Sequence, residues 1–159
     1  MKRLLFIIAI FFYTLSAQNN YSTQSNWLLD TKTDAQKFKK IQTQFRGFDL
    51  AMVEVGYRFN TFYFALQDQN YDLAHYQLDK IKKAIKNGVE RREKRQKNSE
   101  LMFLNKPYQN MKRALHSKDK HAIQKEYLNL KRECNACHHA EKVPFIQVND
   151  PLQRWQPIH

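Results

Sequence analysis

The sequence predicts an all-α protein, an up-down-up-down four-helix bundle whose last helix ends in a C-x-x-C-H motif and is followed by an irregular C-terminal tail. Three observations support this prediction. Apolar residues recur at alternating steps of three and four, which is the period of a helix. No alternation of apolar and polar residues competes for a strand. The 159 residues are 42% hydrophobic, with only 3 glycines and 4 prolines, which suits one helical domain and not a β-sandwich.

The first 17 residues have the layout of a secretory signal peptide. A basic start, Met1-Lys2-Arg3, precedes an apolar run from Leu4 to Leu15, and the small residues Ser16-Ala17 follow. We expect cleavage near Ala17 and export, with a bacterial periplasm as the compartment that suits the motif described below. An uncleaved membrane anchor is the alternative, but the run is shorter than the ~20 apolar residues that span a bilayer. We therefore expect no stable membrane insertion of the mature chain, whose residues 18–33 read as a polar, flexible leader.

Residues 34–140 form the predicted helical domain, and its first helix has the most regular apolar stripe. We expect one long helix with Asp34 as its N-cap, and the stripe is typical of a bundle seam. Gly47 and Gly56 lie inside this helix, where each costs up to about 1 kcal/mol relative to alanine. A closely packed neighbouring helix or a flat ligand would account for them. The stripe consists of Phe38, Ile41, Phe45, Phe48, Met52, Val55, Phe59, Phe62 and Leu66.

Three further helices follow. Apolar residues from Tyr71 to Ile85 predict the second helix, with Asn70 as the cap at its start. The third is interrupted by Pro107, so we expect a short helical turn and then a new helix with Pro107 at its first position. The fourth begins near Asp119. Residues 141–159 contain three prolines, and we expect them to wrap the bundle as an ordered but irregular tail.

Five residues hold the chemistry of this chain. Cys134-Asn135-Ala136-Cys137-His138 is a C-x-x-C-H motif, the signature of covalent c-type haem attachment. Cysteines three apart on a helix point the same way, so each can add to one vinyl group of a porphyrin, and the histidine follows as an iron ligand. A thioredoxin-type pair would need a βαβ context, and a zinc site would need a better fourth ligand than His139. A disulfide would close almost no loop. The sequence therefore predicts one covalent haem c on Cys134 and Cys137.

A four-helix chain with C-x-x-C-H at the end of its last helix resembles the cytochrome c-prime family, together with low-spin relatives that use a methionine ligand. The resemblance covers residues 34–139, and the interruption at Pro107 and the long tail depart from it. It implies a haem within the bundle, His138 as the proximal iron ligand, a distal side supplied by helix one, and a homodimer as one assembly.

The sixth coordination position of the iron separates the functions that remain. Met52, on the stripe of helix one, is the candidate distal ligand and would favour electron transfer, although methionine on such a stripe is often only a core residue. His75, beside the second stripe, is its rival. Without either ligand, Phe48 and Val55 would line an apolar distal pocket with room for NO or CO.

The sequence accordingly supports a periplasmic monohaem cytochrome that carries single electrons between redox partners. A five-coordinate NO- or CO-binding protein and an accessory haem subunit of a periplasmic oxidoreductase are the alternatives. No second titratable group is placed to argue for catalysis, so we do not expect an enzyme.

The charge balance points to an acidic partner. The chain has a formal net charge of +12, and nine basic residues lie between Lys80 and Lys97. This run is either a solvated helix end and loop or a docking surface for an acidic redox protein, whereas nucleic acid is a poor partner for an exported haem protein. The candidate docking residues are Lys82, Lys83, Lys86, Arg91, Arg92, Lys94 and Arg95.

Overall fold

The computed structural model describes residues 26–154, and this part of the chain is helical without a β-strand. The described residues up to Gln44 and those from Phe45 onward form two compact units. The predicted signal peptide and the first half of the predicted leader, residues 1–25, lie outside the described residues, as do residues 155–159. Among residues 26–154, no helix combines the length and the apolar character that crossing a bilayer requires.

The second unit is built mainly from four longer helices, which begin at Phe48, Tyr71, Lys106 and Lys120. In the described part of the chain, the helices are α1 (Asp34–Gln44), α2 (Phe48–Gln67), α3 (Tyr71–Arg91), α4 (Gln96–Ser99), α5 (Lys106–Ser117) and α6 (Lys120–Ala140). A 3₁₀ turn, Glu93–Arg95, precedes α4, and a π-helical turn, Glu100–Leu104, follows it. Pro107 lies in the first turn of α5, as expected from its fixed φ. The second unit packs α2 along α3 and α5 along α6, which is consistent with a four-helix bundle.

The single helix predicted from residue 34 to residue 66 is wrong, because the chain breaks between α1 and α2. Arg46 has a φ of 56°, in the left-handed region, and this conformation ends the helical path. Gly47 is buried in the break, and a Cβ atom there would lie 3.2 Å from Nε of Arg92. The apolar period gives no sign of the break, because Phe45 and Phe48 are themselves three residues apart.

Of the two predicted helix caps, Asn70 is confirmed and Asp34 is wrong, and Asp119, the predicted start of the fourth helix, is also a cap. The side-chain oxygen of Asn70 accepts the backbone N–H three residues later at 3.1 Å. That of Asp119 accepts the N–H two residues later at 2.8 Å, and caps of this kind are worth about 1 kcal/mol each. Asp34 is not a cap but the first residue of α1, and the hydroxyl of Thr33 accepts the N–H of Gln36 instead, at 3.2 Å.

The core of the second unit lies where its four longer helices meet. A Cβ atom on Gly88 of α3 would lie 2.8 Å from Cβ of Ala51 and 3.0 Å from the ring of Phe48, so α2 and α3 are in close contact at this level. Fully burying a large apolar side chain contributes about 1.5–3 kcal/mol to folding. The largest completely buried side chains are Phe62, Leu78, Ile81, Met111, Leu115, Tyr127 and Leu130.

Candidate functional site

The C-x-x-C-H motif lies in the last two turns of α6. Cys134 and Cys137 are half-buried free thiols on one side of the helix, and Cys134 packs against the core. Burial, followed by the neighbouring thiol, raises the pKa of Cys134 to about 12. Burial also raises the pKa of Cys137, although the charge of Arg95 opposes it. Redox-active cysteines have lowered pKa values, so these surroundings disfavour a thioredoxin-type pair.

The imidazole of His138 is held by the backbone of the tail. Its Nδ1 atom lies 2.7 Å from the carbonyl oxygen of Ile146. Because a carbonyl can only accept, the proton of the neutral ring is on Nδ1, and Nε2 has the lone pair. Histidines that ligate metals typically donate their other ring N–H in this way. Nε2 of His138 is therefore the ring nitrogen that is available as a ligand to a metal ion such as iron.

The motif does not assemble a metal site from side chains alone. Within residues 26–154, no group of three or more His, Cys, Asp and Glu residues is placed to hold a metal ion. A haem iron differs in this respect, because the porphyrin supplies four nitrogen ligands and the chain has to provide only the axial ones.

Three helix ends meet beside the motif. The side chain of Arg92, just after α3, packs on Gly47 at the start of α2. Arg95 forms an ion pair with Glu141 at the end of α6, and its charge acts on the thiol of Cys137. These contacts bring the first turn of α2, the end of α3 and the end of α6 to one end of the second unit.

The candidate distal residues lie in the first half of α2, next to this end. Phe48, Met52 and Val55 are each half-buried and pack against the core. Phe48 is also the residue whose ring lies against Gly88 of α3. The structure therefore brings the three candidate distal residues to the end of the unit where the motif lies.

The seam between α2 and α6 is filled by aromatic rings. Tyr127 of α6 lies 5.9 Å from the ring centroid of Phe59 and 5.6 Å from that of Tyr63, while the two helix backbones stay further apart than those of α2 and α3. Met52 and Gly56 share this face of α2 by helical spacing. Gly56 is exposed, and no atom lies within 4 Å of a Cβ built on it, so this face of α2 is open to solvent at that point. This opening leaves room for a flat ligand next to Met52.

His75 lies elsewhere. It is near the start of α3, about 20 Å along the helix axis from Gly88 at a rise of ~1.5 Å per residue. Its ring packs against His116 of α5, with 4.3 Å between the centroids. Burial, and then the charge of His116, lowers the pKa of His75. The structure does not bring His75 to the end where the motif lies.

The predicted basic run is not one uniform surface. Lys82 is half-buried, with its Nζ 4.0 Å from the ring centroid of Tyr108. Arg91 and Arg95 are half-buried too, and each has a buried Nε–H without a hydrogen-bond partner in the described part of the chain. The remaining candidates are exposed: Lys83, Lys86, Arg92 and Lys94.

Sequence reasoning missed Asn135, one of the two variable positions of the motif. Its side-chain amide bonds to both backbone groups of Val148 in the tail, at 2.8 Å and 3.0 Å. No periodicity or composition signals such a contact, because the tail residue that makes it uses only its backbone.

Comparison of the chain with models of protein families, with curated proteins and with solved structures found no match.

Proposed function

We propose that this chain is a monohaem c-type cytochrome, similar to the cytochrome c-prime family, that carries single electrons between redox partners in a bacterial periplasm. The observation on which this depends is the C-x-x-C-H motif at the end of the last helix, with Nδ1 of His138 bonded to a carbonyl and Nε2 left as a ligand. It is an electron carrier in this proposal and not an enzyme.

The contacts of the tail support an up-down-up-down order of the four longer helices. From the end of α6 the tail pairs first with Asn135, then with Lys131, and finally with Asp68 at the end of α2. The tail thus travels toward the start of α6 while it moves toward the end of α2. The two helices are accordingly antiparallel, as the first and last helices of such a bundle are.

The two cysteines and the histidine of the motif, together with Met52, have defined roles in this proposal. Cys134 and Cys137 would hold haem c as thioethers, each formed when the S–H bond adds across a vinyl group of the porphyrin, so no oxidant would be needed. His138 would be the iron ligand on the proximal side through Nε2, and Met52 would be the candidate ligand on the distal side through its sulfur. When bound, haem c would supply an iron that gains and loses one electron. The opening beside Gly56 supports the fit, because a side chain there would occupy this space.

Two half-buried arginines that follow one another closely at the end of α3 and just after it support the same assignment. A haem carries two propionate groups, and a negative group of this kind needs nearby donors. Arg91 and Arg95 each have a buried Nε–H without a partner in residues 26–154, and Arg95 is close enough to Cys137 for its charge to act on that thiol. We assign these two side chains to the haem periphery, and the exposed Lys83, Lys86 and Lys94 to docking of an acidic redox protein.

The test is the optical spectrum of the protein matured with haem, in both oxidation states, for the wild type and two methionine variants. Met52→Leu should convert a low-spin spectrum with its long-wavelength Met–iron band into a high-spin one and lower the reduction potential. Met111→Leu is the matched control, because Met111 is fully buried in the core and should change neither property. Absence of thioether-bound haem in the wild type would refute the proposal, and an unchanged Met52→Leu spectrum would refute the distal ligand.

The opening beside Gly56 also favours a second candidate, a five-coordinate NO- or CO-binding protein. Its distal side would be lined by Phe48, Met52 and Val55, none of which donates a hydrogen bond to bound oxygen. Immediate CO binding by the reduced wild type, with a high-spin spectrum beforehand, would replace the electron carrier by this candidate. A low-spin spectrum that does not respond to CO would exclude it.

A further inference from the structure

The tail after α6 reverses direction and returns along the helix that bears the motif. Lys142 has a φ of 62°, and this left-handed residue turns the chain. The N–H of Val143 then donates to the carbonyl of His138 at 2.9 Å, which closes the turn. We call residues 142–154 the C-terminal strap. Its first part therefore starts directly beside the predicted iron ligand.

Asn135 fixes the strap in register with the motif. Its Oδ1 accepts the N–H of Val148 at 2.8 Å, and its Nδ2 donates to the carbonyl of Val148 at 3.0 Å and to that of Lys131 at 3.2 Å. Val148 also packs against the core. Ile146, two residues earlier, provides the carbonyl that Nδ1 of His138 meets. The amide of Asn135 thus holds this part of the strap beside His138, together with the backbone hydrogen bond from the N–H of Ile146 to the carbonyl of Val143 at 3.0 Å.

Two further anchors hold the strap at points that lie farther from the motif. Asp150 accepts hydrogen bonds from the hydroxyl of Tyr127 and from Nζ of Lys131, the latter at 2.7 Å. Arg154 donates twice to the carboxylate of Asp68, at 2.6 Å each. The strap is bound along its length, so the loss of one anchor changes its local position without releasing it.

From this geometry we infer that Asn135 is a positioning residue for the iron ligand: through Val148 it holds the carbonyl of Ile146 against His138. The inference rests on the proposed function, because it assigns His138 to an iron. A ring N–H that donates to a fixed carbonyl increases the electron density at the other ring nitrogen, and such partners tune metal ligands. The more electron-rich Nε2 stabilises ferric over ferrous iron. Asn135 therefore lowers the reduction potential of the proposed haem.

The test compares Asn135→Ala with the wild type and with Asn129→Ala. Asn129 is the matched control, because it is a half-buried asparagine on the same helix whose side chain hydrogen-bonds to Glu126 and Arg132 of α6. The first readout is the exchange of the His138 ring N–H with solvent, followed by NMR on the protein as purified. The second is the reduction potential of the haem-bearing protein.

We expect Asn135→Ala to accelerate exchange of the ring proton at least tenfold and to favour the ferrous state about tenfold, a rise in potential of ~59 mV for one electron. Asn129→Ala should change neither. Asn135→Ser, which keeps a neutral polar group, should shift both readouts in the same direction and serves if the alanine variant does not fold. If the Asn135 variants had the same exchange rate of the His138 ring N–H and the same reduction potential as the wild type, the inference would be overturned. Slow exchange in a wild type that never attaches haem would instead retain the strap contact and refute the proposed function.

Discussion

Two glycines in neighbouring helices should respond oppositely to the same substitution. Alanine in place of glycine in a helix interior gains up to about 1 kcal/mol from backbone entropy. At Gly56 a new Cβ meets no atom within 4 Å, so Gly56→Ala should stabilise the haem-free chain by this amount. At Gly88 the same Cβ would lie 2.8 Å from Cβ of Ala51, and overpacking of this kind costs about 1–3 kcal/mol.

The difference between the free energies of unfolding of the two variants isolates the steric cost at Gly88, because both variants gain the same backbone entropy from the change to alanine. We expect Gly88→Ala to be less stable than Gly56→Ala by about 1–3 kcal/mol, or about 4–12 °C in Tm. Urea and thermal unfolding followed by circular dichroism would measure it, with an unchanged m-value confirming that the unfolded state is the same. Equal stabilities would refute the close α2–α3 contact.

The same pair of variants examines the opening beside Gly56 once haem is attached. If the porphyrin occupies the seam between α2 and α6, the stability gained by Gly56→Ala should disappear in the haem-bearing protein and its spectrum should change. The penalty of Gly88→Ala should stay the same, because Gly88 faces Ala51 and Phe48 and not the seam. A gain at Gly56 that persists with haem would place the haem elsewhere.

Two acid-dependent stabilities follow from the pKa shifts. The hydrogen bond from Lys131, and then that from Tyr127, lowers the pKa of Asp150, so this anchor stabilises the fold fully above about pH 4 and is lost as pH falls through the lower folded pKa. The Tm difference between wild type and Asp150→Asn should therefore shrink from pH 6 to pH 3, and a constant difference would contradict it. Burial, then the charge of His116, lowers the pKa of His75. Because the pKa of His75 is lower in the folded than in the unfolded state, stability falls as pH drops below about 6.5 toward the folded-state pKa. His75→Gln should therefore make Tm less dependent on pH in this window. Parallel curves of Tm against pH for the two proteins would contradict this prediction.

The sequence was sufficient to predict those helices that begin at a polar capping residue after a short polar segment. Asn70 and Asp119 mark their helix starts because a short side-chain oxygen there has few other roles. The break at Arg46 could not be predicted, because hydrophobic spacing reports which side of the chain is apolar and not the φ of one residue. The sequence predicted an ordered, irregular tail but not its contacts, because the strap meets Asn135 and His138 through backbone groups, which do not depend on residue type.

Position in three dimensions also separates basic residues that look alike in the sequence. Lys94 and Arg95 are adjacent, but Lys94 is exposed whereas the side chain of Arg95 is 26% exposed and pairs with Glu141, itself 17% exposed. Lys94→Gln should slow electron transfer with an anionic oxidant such as ferricyanide at low ionic strength, an effect that salt screens, and should leave the potential unchanged. Arg95→Gln removes a positive charge beside Cys137 and should lower the potential at every salt concentration. If stopped-flow kinetics and redox titration gave the same result for both variants, Arg95 would belong to the docking surface and not to the haem periphery.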